Sequence, residues 1–99
     1  MRRATTAPQT YVLPFDASEL VTVRIYYSQR GKVVLEKNEG QVRLEGKEIN
    51  WTLTQQETLM FDDAAMVQIQ LHVKTVNGAV LASEVDTVTV GKILKDEVL

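Results

Sequence analysis

The chain contains no cysteine, which excludes disulfides and thiolate metal sites and leaves no marker of a redox compartment. It has one histidine, two prolines and five glycines scattered singly, so no glycine-rich phosphate cradle is present. No apolar run approaches the roughly 20 residues that a membrane-spanning helix needs. A formal net charge of −2 leaves no basic footprint for phosphates, and no nucleic-acid partner is expected. No leader is expected at the N-terminus, where "MRRATTAPQT" carries two arginines without an apolar segment behind them. That predicts synthesis in a cytoplasm without a secretory signal. At the other end, Val98 interrupts any resemblance of "KDEVL" to a retention signal.

What remains is a 99-residue chain of ordinary globular composition, 44% apolar and 24% charged. Its strongest signal is alternation. Val21, Val23, Ile25 and Tyr27 share one face of a strand, with Thr22, Arg24, Tyr26 and Ser28 on the other. Val67, Ile69, Leu71 and Val73 alternate in the same way with Gln68, Gln70, His72 and Lys74, and Ile49, Trp51 and Leu53 define a third inward face. "TYVLPF" predicts an edge strand, because Pro14 has no N–H to offer a ladder. "QVRLE" predicts a short strand with Val42 and Leu44 inward. Gly31 serves a turn before "VVLEK", and Asn77-Gly78 predicts a type I′ hairpin.

Two features interrupt this pattern. Thr54 and Glu57 have capping-box spacing, which predicts one helical turn over 55–60 that carries the chain from one sheet to the other. One or two of Leu59, Met60 and Phe61 then plug the end of the core, while Asp62 and Asp63 return the chain to water. Asp16 and Glu19 have the same spacing and predict either a helical turn or a plain turn. Further on, Val80 and Ala82 share parity with Val88 and Val90, but Glu84 and Asp86 lie between them. A β-bulge or corner near 83–85 would keep those acids wet.

The count is about seven antiparallel strands with one helical turn, the pattern of an all-β, immunoglobulin-like sandwich. Residues 1–9 read as a flexible arm or unpartnered first strand, 10–91 as the domain, and 92–99 as a tail bearing Ile93, Leu94, Val98 and Leu99.

No constellation for chemistry emerges, so no catalytic, metal or cofactor residue is expected. His72 alternates outward with no neighbour in sequence to tune it. Asp62-Asp63 lacks the spaced oxygens and glycine of a calcium loop. Binding is the remaining mode, by protein contact with Tyr11, Arg24, Tyr26, Arg43, Ile93 and Leu94 as interface candidates, or alternatively as a carbohydrate- or cell-surface-binding module. The Pro14 strand and "QVRLE" are the edges open to strand addition.

From "YVLPFDASEL" through "INWTLTQQETLMF" to "GKILKDEVL", the chain resembles small proteins encoded near tail genes in phages and prophages of Firmicutes. It is also similar to the N-terminal domain of phage baseplate upper proteins. The matching positions are Leu53, Thr54, Glu57, Thr58 and Phe61, then the hairpin at Asn77-Gly78. The resemblance implies a tail or baseplate component whose partners are other tail proteins or further copies of itself. It would be located in the virion, or in the host bacterial cytoplasm during assembly.

Overall fold

The computed structural model describes residues 6–91. In chain order the strands are β1 (Ala7–Val12), β2 (Leu20–Gln29), β3 (Lys32–Asn38), β4 (Arg43–Glu45), β5 (Glu48–Leu53), β6 (Val67–Thr75), β7 (Val80–Ala82) and β8 (Asp86–Val88). One short helix, α1 (Gln55–Thr58), separates β5 from β6. The strands form two antiparallel sheets, ordered β1-β5-β4 and β3-β2-β6-β7, with β8 following β7 along the same edge of β6.

The period-two faces meet between the sheets. Val23, Ile25 and Tyr27 of β2, Val67, Leu71 and Val73 of β6, and Ile49, Trp51 and Leu53 of β5 are all buried in one core. Val21 departs from its expected face and is 51% exposed, because the β2–β6 register slips between Leu20 and Thr22. Across the core, Trp51 Nε1 donates to the Tyr27 hydroxyl at 2.9 Å. Burial pushes that hydroxyl's pKa up to about 12, against the opposing pull of the Trp51 N–H. Tyr27→Phe removes the acceptor and leaves a buried N–H unpaired. The expected loss is about 1–3 kcal/mol, read as a lower urea midpoint at unchanged m-value.

The crossover forms as the capping box predicts. Thr54 Oγ1 accepts from the Glu57 N–H at 3.1 Å, and Glu57 Oε1 accepts from the Thr54 N–H at 2.9 Å. These two bonds satisfy donors that the helix end would otherwise strand. Phe61 and Thr58 are the buried residues of this stretch, while Met60 is 51% exposed. The following loop is tied down by Gln29. Its amide donates to the carbonyls of Asp62 (2.7 Å) and Ala65 (3.0 Å) and accepts from the Asp62 N–H (2.9 Å). At the other candidate turn, Asp16 caps a 3-10 turn over Ala17–Glu19 by accepting from the Ser18 N–H.

Several expectations need correction. The ladder begins at Ala7, so 7–9 belong to a first strand, the alternative reading, and not to an arm: they pair with 51–53 of β5. The arm's first five residues and the 92–99 tail lie outside the described residues. "QVRLE" is a strand only over 43–45, because Asn38 caps a 3-10 turn, Glu39–Gln41, that takes up its first residue. Leu44, inward by register opposite Ile49, remains 39% exposed at the sheet margin. Asn77-Gly78 does not form a type I′ turn, since only Gly78 has positive φ. Instead the Gly78 N–H donates to the Thr75 carbonyl, and Thr75 and Ala79 close a longer loop. The tight two-residue turn is Arg30-Gly31, both at positive φ.

The irregularity expected near 83–85 is present. Between the β7 and β8 ladders, 70–71 of β6 face three residues, 83–85. The extra residue switches parity, so Leu81, opposite Val73, points inward where Val80 and Ala82 do not. Ser83 bridges the gap: its N–H donates to the Leu71 carbonyl at 2.8 Å, and its Oγ accepts from the Leu71 N–H at 2.9 Å.

Candidate functional site

The outward side chains of β2 and β6 lie side by side because Arg24 pairs with His72 and Tyr26 with Gln70 in the antiparallel register. Tyr26 and His72 then meet diagonally, edge to face, with ring centroids 5.2 Å apart and an interplanar angle of 80°. Around them Ser28, Gln68 and Gln70, with Val33 of β3 and Val85 of the bulge, line a shallow hollow of about 220 Å³. Gln70 Nε2 donates to the Ser83 carbonyl at 3.0 Å, so the bulge that brings Val85 to the rim also fixes one amide of the floor.

Among the described residues no Asp, Glu, Lys or Arg side chain lines the hollow. Charge gathers beside it, where Arg24 approaches Glu36 at 3.6 Å and makes a closer contact with Glu39. The Glu39 backbone N–H and the Arg24 guanidinium hold the Glu39 carboxyl below its ordinary range, against a smaller effect of burial. The arrangement is therefore an aromatic and amide centre with the carboxylates and the guanidinium to one side. Its chemistry is contact and hydrogen bonding through the Tyr26 hydroxyl, the amides, Ser28 and the imidazole.

The sequence-predicted interface residues do not converge. Arg24 and Tyr26 share this face. Tyr11 lies on β1, opposite Ile49, and packs against the core. It also lines a separate apolar hollow of about 260 Å³ with Leu13, Phe15 and Leu81 at the flank between the sheets. Arg43 is on the outer face of the other sheet, in an ion pair with Glu45 at 2.6 Å. Ile93 and Leu94 lie outside the described residues.

His72, Gln68 and Gln70 were legible as outward positions, but nothing in their own stretch signals that they adjoin Tyr26. The pairing register supplies that. Among the described residues no group of three His, Asp or Glu side chains is placed to hold a metal ion. No helix among them is long and apolar enough to cross a membrane. Neither a family model, a curated protein nor a solved structure matches the chain.

Proposed function

We propose that the chain is a non-enzymatic structural or accessory module of a phage tail or baseplate, acting by protein contact through the outer face of β3-β2-β6-β7. The observation that carries this reading is the hollow around Tyr26 and His72, lined by aromatic, amide and apolar side chains. Aromatic anchors in a centre without acidic residues, lysine or arginine, with those groups displaced to one side, are what a protein interface uses. We further propose an immunoglobulin-like sandwich. The orders β1-β5-β4 and β3-β2-β6-β7 correspond to strands B-E-D and C′-C-F-G of that plan. The capped crossover at Thr54 and Glu57 and the buried Phe61 are among the positions on which the resemblance to baseplate proteins rests, with Leu53, Thr58 and the turn at Asn77-Gly78.

The test is antibody labelling of purified virions of the encoding phage. Labelled tails are expected, with Tyr26→Ala reducing incorporation roughly ten-fold, as loss of a central aromatic anchor does. Virions in which the protein is undetectable would remove the tail role.

A second reading has a specific observation in its favour. The Tyr26 ring, the Gln68 and Gln70 amides and the Ser28 hydroxyl border one hollow, a combination suited to stacking on and hydrogen bonding to a neutral saccharide. Saturable binding on a glycan array, abolished by Tyr26→Ala, would favour it over protein contact.

A further inference from the structure

The free edge of β4 points to a self-complementary docking surface, and we propose that two copies of this chain associate there by antiparallel pairing of Arg43-Leu44-Glu45 about a two-fold axis at Leu44. β4 ends its sheet: β5 occupies one edge, and the other pairs with no strand among the described residues. The Arg43 and Glu45 side chains project on the outer face, 71% and 56% exposed, and Leu44 presents a 39% exposed side chain on the inner face.

Charge complementarity selects the occupant. With Leu44 opposite Leu44 of the second copy, each Arg43 faces a Glu45 across the junction, and the four charges alternate around the axis. Sliding the pairing by two residues sets Arg43 on Arg43 or Glu45 on Glu45. Sliding it by one puts outward residues against inward ones. The β1 edge, by contrast, offers Ala7–Val12, which carries no charge to meet either residue. Within one chain Glu45 lies directly opposite Glu48, a like-charged cross-strand pair, and the second copy brings Arg43 to the other side of that acid. The union would join two three-stranded sheets into a six-stranded one. Three paired residues bury little area, so the association belongs to the weak, concentration-driven class that gains strength in a repeating assembly.

Sedimentation velocity at low salt, from about 10 µM to about 1 mM, spans the range of such weak contacts. The wild-type chain is expected to sediment faster as concentration rises. R43E and E45R alone should each weaken association at least roughly ten-fold, since each opposes like charges across the axis. An equimolar mixture of R43E and E45R should restore it, because the carboxylate introduced in one variant then faces the guanidinium introduced in the other. Tyr26→Ala should leave it unchanged, which separates this surface from the face proposed above. A wild-type chain still monomeric at about 1 mM would overturn the proposal. So would variants that associate like wild type, or folded variants whose mixture stays monomeric.

Discussion

Phe61→Ala is expected to lower stability by about 3–5 kcal/mol, a large share of the roughly 5–15 kcal/mol that holds a domain of this size together. Phe61 is 1% exposed and sits three residues past α1, where the chain leaves one sheet for the other. Its ring lies 5.6 Å from that of Tyr27 at 50°, so it fills the space beneath the side chain that itself bonds to Trp51. Truncation opens a void that two sheets cannot close without sliding, because each is fixed by its own ladder. The neighbouring Met60 is 51% exposed and is the internal control: Met60→Ala should change stability by no more than about 0.5 kcal/mol. Equilibrium urea unfolding checks both. A Phe61→Ala protein within about 1 kcal/mol of wild type would mean that the crossover does not plug the core.

The same residues show what was legible in the sequence. Alternation in 23–27 and 67–73 identified the inner faces because a pleated strand leaves side chains no other choice. Thr54 and Glu57 identified the crossover because both halves of their exchange lie three residues apart. Register is different, being a relation between segments that neither segment encodes alone. Tyr26 and His72 each read as surface, and only the β2–β6 pairing makes them neighbours. At 83–85 the phase conflict announced a bulge, yet which side of it would face inward depended on where β6 offered its hydrogen bonds. At Asn77-Gly78 the dipeptide's usual turn loses to a loop closed between Thr75 and Ala79, with the Asn77 carboxamide bonded to the Thr75 hydroxyl. Lys37 breaks the apolar pattern of the inner face, yet its position there follows from parity. It shares parity with Leu35 on β3, which places it toward the core opposite Ile25.

That lysine yields the second large effect, because Glu57→Gln is expected to cost about 3–5 kcal/mol while Lys37→Met costs only about 1–2 kcal/mol. The Lys37 ammonium reaches from the edge strand of one sheet to the helix that follows the other, with Nζ 2.6 Å from Glu57 Oε2 and 2.8 Å from Oε1. Its side chain is 7% exposed, against 18% for that of Glu57. Replacing the carboxylate by an amide leaves the buried Lys37 cation without a counter-charge, while the glutamine oxygen can still accept the Thr54 N–H, as Gln41 does for Asn38. Removing the cation leaves a carboxylate that still accepts the Thr54 N–H and has some access to water, and methionine refills the volume. In the double variant no charge is left uncompensated, so a cycle should show coupling of about 1–3 kcal/mol. If Lys37→Met cost as much as Glu57→Gln, the asymmetry of burial would not be what governs this pair.

The pair also gives an acid dependence whose sign follows from the geometry. Burial alone would raise the pKa of Glu57, but the Lys37 ammonium and the hydrogen bonds with Thr54 outweigh it and hold the carboxyl below its ordinary 4.5. A group whose pKa is lower in the folded than in the unfolded chain contributes its full stabilisation above the unfolded value. It loses that contribution as pH falls through the folded one. The stability gap between wild type and Glu57→Gln should therefore be constant near neutrality and shrink as pH falls below about 4.5. Carboxylates common to both proteins cancel in that difference, Asp16 and Glu39 included. Urea midpoints taken at intervals from neutral pH into the acid range measure it. A gap that widened toward acid would mean that the buried carboxyl is protonated more readily in the folded chain than in the unfolded one, the opposite of what its ammonium partner requires.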